Sequence, residues 1–213
     1  MKENSFKSIK LEYDNEESYQ TLKAIFNKAN RIFLKNDRSL FDDGVAERTL
    51  CGALKSHLEK ELALAKIEGY YVDVEYNRNN GQVKTILDDN CEVVSIQCDL
   101  IVHSRGNNIK QDNLLAIEMK KSYRDQDSKD TDRMRLRALT KSTYDNDIWA
   151  YDGKSFPKRV CRYILGVFYE VDHTKEVIYL EYYRNGKMIS KNKIPYQSGV
   201  FFMQEKIKGY KNT

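Results

Sequence analysis

The chain has 213 residues, of which 40% are hydrophobic and 32% charged, a make-up that fits one globular domain with a heavily solvated surface. Its formal net charge of +4 sets 36 cations against 32 anions, which permits an anionic partner without demanding one. No apolar run approaches a membrane span and the polar start Met-Lys-Glu-Asn-Ser lacks a secretory pattern, so no membrane partner is expected.

Residues 1–14 have no clear period and read as a strand or an ordered arm. Tyr19, Leu22, Ile25, Phe26, Ala29, Ile32 and Phe33 recur at three-and-four spacing and predict a helix from Glu16 to Lys35. Asp37 to Asp43 has the chemistry of a connector, with Asp42 or Asp43 placed to cap a second helix. That helix is predicted from Val45 to Ile67, burying Leu50, Ala53 or Leu54, Leu58, Leu62 and Ala65. Glu47 falls in its first turn, where the helix dipole favours a carboxylate. His57 reads as a tolerated side chain rather than a ligand, and Gly69 is the expected stop.

Tyr70 to Arg78 alternates as a strand, with Tyr71, Asp73, Glu75 and Asn77 on one face. Asn79-Asn80-Gly81 is a turn, and residues 82–95 read as a loop leading to the next strand. Two apolar runs come next, Leu100–Val102 and Leu114–Ile117, separated by a polar segment containing Gly106. They predict a hairpin with its loop at 104–113. Asp99 enters the first strand, while Glu118 and Lys120 leave the second on a shared face, about 7 Å apart at a strand's rise per residue. If His103 pairs with Leu114, counting back sets Asp99 opposite Glu118. Opposed like charges are destabilising, so such a pair needs a shared proton, a cationic partner or a divalent metal. Lys120 supplies one charge, and magnesium would supply the rest.

Asp99 followed nineteen residues later by Glu118-Met119-Lys120 resembles the signature of the PD-(D/E)xK nuclease superfamily, the restriction-endonuclease-like enzymes. Cys98 stands where the superfamily name calls for proline, a position that varies widely among its members. The resemblance implies a metal-dependent phosphodiesterase on an α/β (α+β) fold, a restriction-endonuclease-like core with a central mixed sheet flanked by helices. It further implies that Asp99, Glu118 and the Met119 backbone carbonyl bind Mg2+ or Mn2+, and that Lys120 acts in catalysis. A helix preceding the sheet often brings a glutamate to such sites, and Glu47 occupies the matching place. A plainer alternative is a surface hairpin whose charges are solvated or salt-bridged.

Beyond the hairpin, Lys121 and Arg124 are candidate nucleic-acid contacts. A helix is predicted from Ser128 to Thr143 with Leu136 and Leu139 inward, while Arg133, Arg137 and Lys141 form a basic stripe. Such a stripe is either a solvated face or a phosphate contact. Residues 144–159 form a loop carrying Trp149, Lys154, Lys158 and Arg159, suited to stacking and phosphate charge or to core anchoring of the tryptophan. Two further strands, Arg162 to Val171 and Glu176 to Tyr183, flank Asp172-His173-Thr174-Lys175, and Asn185-Gly186 turns into a third.

The expected organisation is a single domain over 1–213, with a helical arm at 1–43, a catalytic core at 44–184 and an extension at 185–213. Cysteines 51, 91, 98 and 161 lack metal-site spacing and read as reduced thiols of a cytoplasmic protein. The expected activity is Mg-dependent hydrolysis of nucleic acid, DNA before RNA, in restriction, defence or repair. A two-fold homodimer would suit double-strand cleavage, though no interface is legible. The competing readings are a catalytically idle nucleic-acid-binding module of the same fold and an interaction subunit.

Overall fold

The computed structural model describes residues 10–76, 97–142 and 160–196, together with the backbone of short strands between 78 and 95. The loop with Trp149, Lys154, Lys158 and Arg159, and Cys91, lie outside the described residues.

Helix α1 spans Glu16–Asn36 and starts where the Asn15 side chain accepts from the Ser18 N–H, which satisfies an otherwise orphaned donor of the first turn. Its three-and-four stripe is buried as the spacing predicts except at Ile32, which is partly exposed. A five-residue helix α2, Arg38–Asp42, occupies the expected connector. Helix α3 runs Glu47–Leu64, shorter at both ends than its periodicity suggests. It stops at Lys66, which takes a left-handed φ of 56°, and Ile67 N–H bonds back to the Leu62 carbonyl. Gly69, at φ 79°, therefore belongs to the turn into the sheet and is not the helix stop.

The strands in chain order are β1 (Tyr71–Val74), β2 (Arg78–Asn79), β3 (Gln82–Val83), β4 (Thr85–Leu87), β5 (Val93–Ser95), β6 (Leu100–His103) and β7 (Asn113–Lys121). Helix α4 (Gln126–Thr140) follows, then β8 (Leu165–Asp172), β9 (Val177–Arg184) and β10 (Lys187–Pro195). β2–β3 and β4–β5 are separate antiparallel pairs. The other strands form a six-stranded sheet in the order β1-β6-β7-β8-β9-β10. Only the central β7–β8 pair of this sheet is parallel. A parallel pair needs a crossover, and α4 provides it. The fold is thus α+β with a mixed sheet flanked by helices, and no helix among the described residues is long and apolar enough to cross a membrane.

Alternation along β7 divides its side chains between two cores. Leu115, Ile117 and Met119 join the cluster built with α1 and α3, whereas Ala116 joins Leu136 and Leu139 of α4. Each fully buried side chain of this size contributes about 1.5–3 kcal/mol. α4 approaches the sheet closely at Gly166, where a Cβ would stand 3.0 Å from Thr140 Cγ2 and 3.1 Å from Tyr183 Cβ. Glu118 and Lys120 share the Ala116 side, so both face α4 at the strand end.

Candidate active site

The β6–β7 register sets Leu100 opposite Ile117, and one step further back brings Asp99 level with Glu118. A bulge moves His103 onto Asn113 instead of Leu114. It lies at the other end of the strands and leaves the carboxylate pair as the sequence places it. Asp99 Oδ2 accepts from the Met119 N–H at 2.7 Å. Its carboxyl is raised above the ordinary aspartate value, by burial above all, against the opposing effects of that N–H and of Lys120.

Glu118 is 1% exposed, and its Oε1 has no hydrogen-bond partner. Burial first, then the charges of Asp99 and Asp132, push its carboxyl well above the ordinary glutamate value. Lys120 points to the same side, with Nζ 2.8 Å from Asp132 Oδ2. Burial alone would depress the ammonium, but the hydrogen bond and charge of Asp132, reinforced by Asp99 and Glu118, raise it instead. This favours the charged form of Lys120.

Asp132 escaped the sequence reading. It lies on α4, four residues before Leu136, and is 2% exposed, with Oδ1 accepting from Arg135 Nη1 at 2.9 Å. Its place on the Leu136 face of a helical wheel was the available signal.

Glu47 reaches the same strand end from α3. Its Oε1 accepts from the Lys121 N–H at 2.9 Å and from Arg124 Nε at 3.4 Å. In a strand the N–H and C=O of one residue point to the same edge. Met119 and Lys121 thus turn their N–H groups to Asp99 and Glu47 in succession, and the Met119 carbonyl faces that edge between them. Below them, Cys51 Sγ lies 3.8 Å from Met119 Sδ. The described cysteines, Cys51, Cys98 and Cys161, are buried thiols.

The basic candidates are distributed differently from expectation. Lys121 is buried, and its ammonium donates to the Gly44 carbonyl at 2.6 Å. Arg124 is half-exposed beside Glu47. Arg133 is committed to Glu181 at 3.0 Å and to Asp130 at 2.9 Å, with its guanidinium 4.4 Å from the Phe168 ring centroid. Lys141 lies against the Asn185-Gly186 turn, 3.0 Å from where a Gly186 Cβ would stand. α4 runs back along the sheet, so its stripe leads through Arg137 away from Lys120. An open cleft of about 610 Å3 begins past the strand end at Ser122 and Tyr123 and includes Glu170, Glu181, Lys175 and Lys191. Its mixed acids and bases give a polyanion no preferred side.

The chain matches no protein-family model, no curated protein and no solved structure. The reading of the site accordingly rests on its own chemistry. Among the described residues, no three His, Cys, Asp or Glu side chains group to hold a metal. Magnesium asks for less, since one or two carboxylates with waters and substrate oxygens commonly suffice. The unpartnered Glu118 oxygen, the opposed Asp99 and the Met119 carbonyl fit such an ion.

Proposed function

We propose that this protein is a metal-dependent nuclease with a restriction-endonuclease-like core, hydrolysing phosphodiester bonds of nucleic acid with DNA as the expected substrate. The observation that carries this reading is Glu118, a fully buried carboxylate with an unpartnered oxygen. It stands opposite a second carboxylate and two residues before a lysine on the same face. Of the plainer alternative, a surface hairpin whose charges are solvated or salt-bridged, Lys120 fits the salt-bridged form through Asp132, whereas Glu118 is buried with no hydrogen bond at Oε1.

In this reading Asp99, Glu118 and the Met119 carbonyl hold Mg2+, or Mn2+ in its place. Such an ion would supply Lewis-acid polarisation of the scissile phosphate and would acidify a water near neutral pH. The chain contributes placement and charge. The Met119 N–H fixes the Asp99 carboxylate at 2.7 Å, so one ligand is oriented before any ion arrives. Lys120, kept protonated, stabilises the negative charge that develops on the phosphate oxygens. Glu47 ties the strand end to α3 through the Lys121 N–H and in this reading would bind a second ion or a water on the metal.

Incubation of plasmid, linear duplex and single-stranded DNA, each with magnesium and with manganese, tests the proposal. Metal-dependent cleavage by the parent and none by Asp99→Asn is expected. Intact substrates throughout would leave an idle binding module or an interaction subunit.

A further inference from the structure

The carboxylate on α4 does something that Asp99 and Glu118 do not. Asp132 divides its oxygens between two cations, with Oδ1 accepting from Arg135 Nη1 at 2.9 Å and Oδ2 lying 2.8 Å from Lys120 Nζ. Asp132 is 2% exposed, while its partners Lys120 and Arg135 are only partly buried. Glu118 Oε1, on the same face of β7 as Lys120, has no hydrogen-bond partner; Asp132 Oδ2 makes no aligned hydrogen bond either, but it holds the Lys120 ammonium as an ion pair. A lysine ammonium is a compact charge on a flexible four-carbon stem. Set loose among three carboxylates, it would move to the least compensated, which is Glu118. The lysine held on α4 and the orphaned glutamate oxygen are thus two sides of one arrangement.

We propose that Asp132 is a positioning residue: it anchors Lys120 from α4 and thereby keeps the Glu118 oxygen uncompensated for an incoming divalent cation. The anchor also crosses the interface between α4 and β7, so it ties the aim of the lysine to the docked helix. The claim about the cation rests on the nuclease reading, whereas the claim about Lys120 stands apart from it.

The test uses the full chain without substrate. Mn2+ binding is measured by electron paramagnetic resonance for the parent, D132N, D132E, K120M and the K120M/D132N double variant. Loss of such a supporting partner typically weakens a metal site about 10–100-fold, and D132N is expected to fall in that range, with D132E recovering part of the affinity. In the K120M background, adding D132N is expected to cost distinctly less, because no ammonium remains to stray and only the charge of Asp132 itself is lost. An equal loss in both backgrounds, or none in either, would overturn the proposal. The Lys120 side-chain 15N resonance, assigned by its absence in K120M, gives an arm that needs no metal and is read first in the folded parent. A protected ammonium signal is expected there and its loss in D132N. Its absence from the parent, or its persistence in D132N, overturns the anchoring claim. If the parent binds no Mn2+, the nuclease reading and the cation claim fail together, and this resonance alone decides whether Asp132 anchors Lys120.

Discussion

Replacing Glu118 by glutamine removes a charge while preserving shape. In the metal-free protein Glu118 is fully buried with Oε1 unpartnered, and such an unmade bond costs about 1–3 kcal/mol. A glutamine amide brings two N–H donors beside the acceptors Asp99 and Asp132. E118Q is therefore expected to gain about 1–3 kcal/mol near pH 8, a melting-temperature rise of roughly 3–9 °C for a chain of this size. The pH dependence follows from the raised carboxyl. Burial, then the charges of Asp99 and Asp132, hold the Glu118 proton in the folded chain at pH values where the unfolded chain has lost it. The folded state binds more protons there, so parent stability falls as pH rises above the ordinary glutamate range through the folded value. E118Q lacks this slope, and its advantage should widen from about pH 5 to about pH 8. Magnesium should raise the melting temperature of the parent by mass action and leave E118Q nearly unmoved. Thermal scans by circular dichroism with chelator and with magnesium, at both pH values, read all three effects. A variant that melts below the parent near pH 8 without metal, or whose advantage ignores pH, would refute the reasoning.

Arg133→Ala should leave the salt dependence of DNA binding unchanged, since its guanidinium is committed to Glu181 and Asp130. Arg124→Ala should lower the slope of log affinity against log salt by about one unit, as for one phosphate contact; salt titrations of both variants decide this. Asp73 offers a second pH test. Burial raises its carboxyl, but hydrogen bonds from Arg105 and His103 outweigh that and hold it down to about 2. Its contribution, about 1–2 kcal/mol after allowance for the exposure of Arg105, is present above the ordinary aspartate range and is lost as pH falls toward 2. Urea melts should show Asp73→Asn destabilised at neutral pH and level with the parent near the acid end. Gly166→Ala would press a methyl against Thr140 and Tyr183 and should cost about 1–3 kcal/mol, read as a lower urea midpoint.

Periodicity and local turn chemistry made part of the fold legible. The stripe of α1, the Asp172–Lys175 hairpin and the Asn185-Gly186 turn repeat in the structure with limits shifted by a few residues. The opposition of Asp99 and Glu118 was legible by counting back from a His103–Leu114 pair; the bulge sets His103 on Asn113, but Leu100–Val102 keep the expected partners Ile117, Ala116 and Leu115. The role of Asp132 was not legible, because an acid among the polar residues of a helix reads as solvated until the strand packed against it is known. The same holds for Glu181, which captures Arg133 only because β9 lies beside β8 in the sheet. Asp73 and His103 meet at 3.0 Å across thirty residues of chain, a pairing that strand order sets and local spacing does not. The stop at Lys66 depends on a left-handed residue that is not glycine, and composition favours Gly69 instead.

The claim on which the account turns is that the Asp99–Glu118 pair holds the divalent ion that cleavage requires. Anomalous diffraction from a manganese-soaked crystal tests it most directly. A single strong peak bonded to Glu118 Oε1 and to an oxygen of Asp99, absent from E118Q, is the predicted result. Manganese bound elsewhere, in a protein that still cleaves DNA, would contradict it.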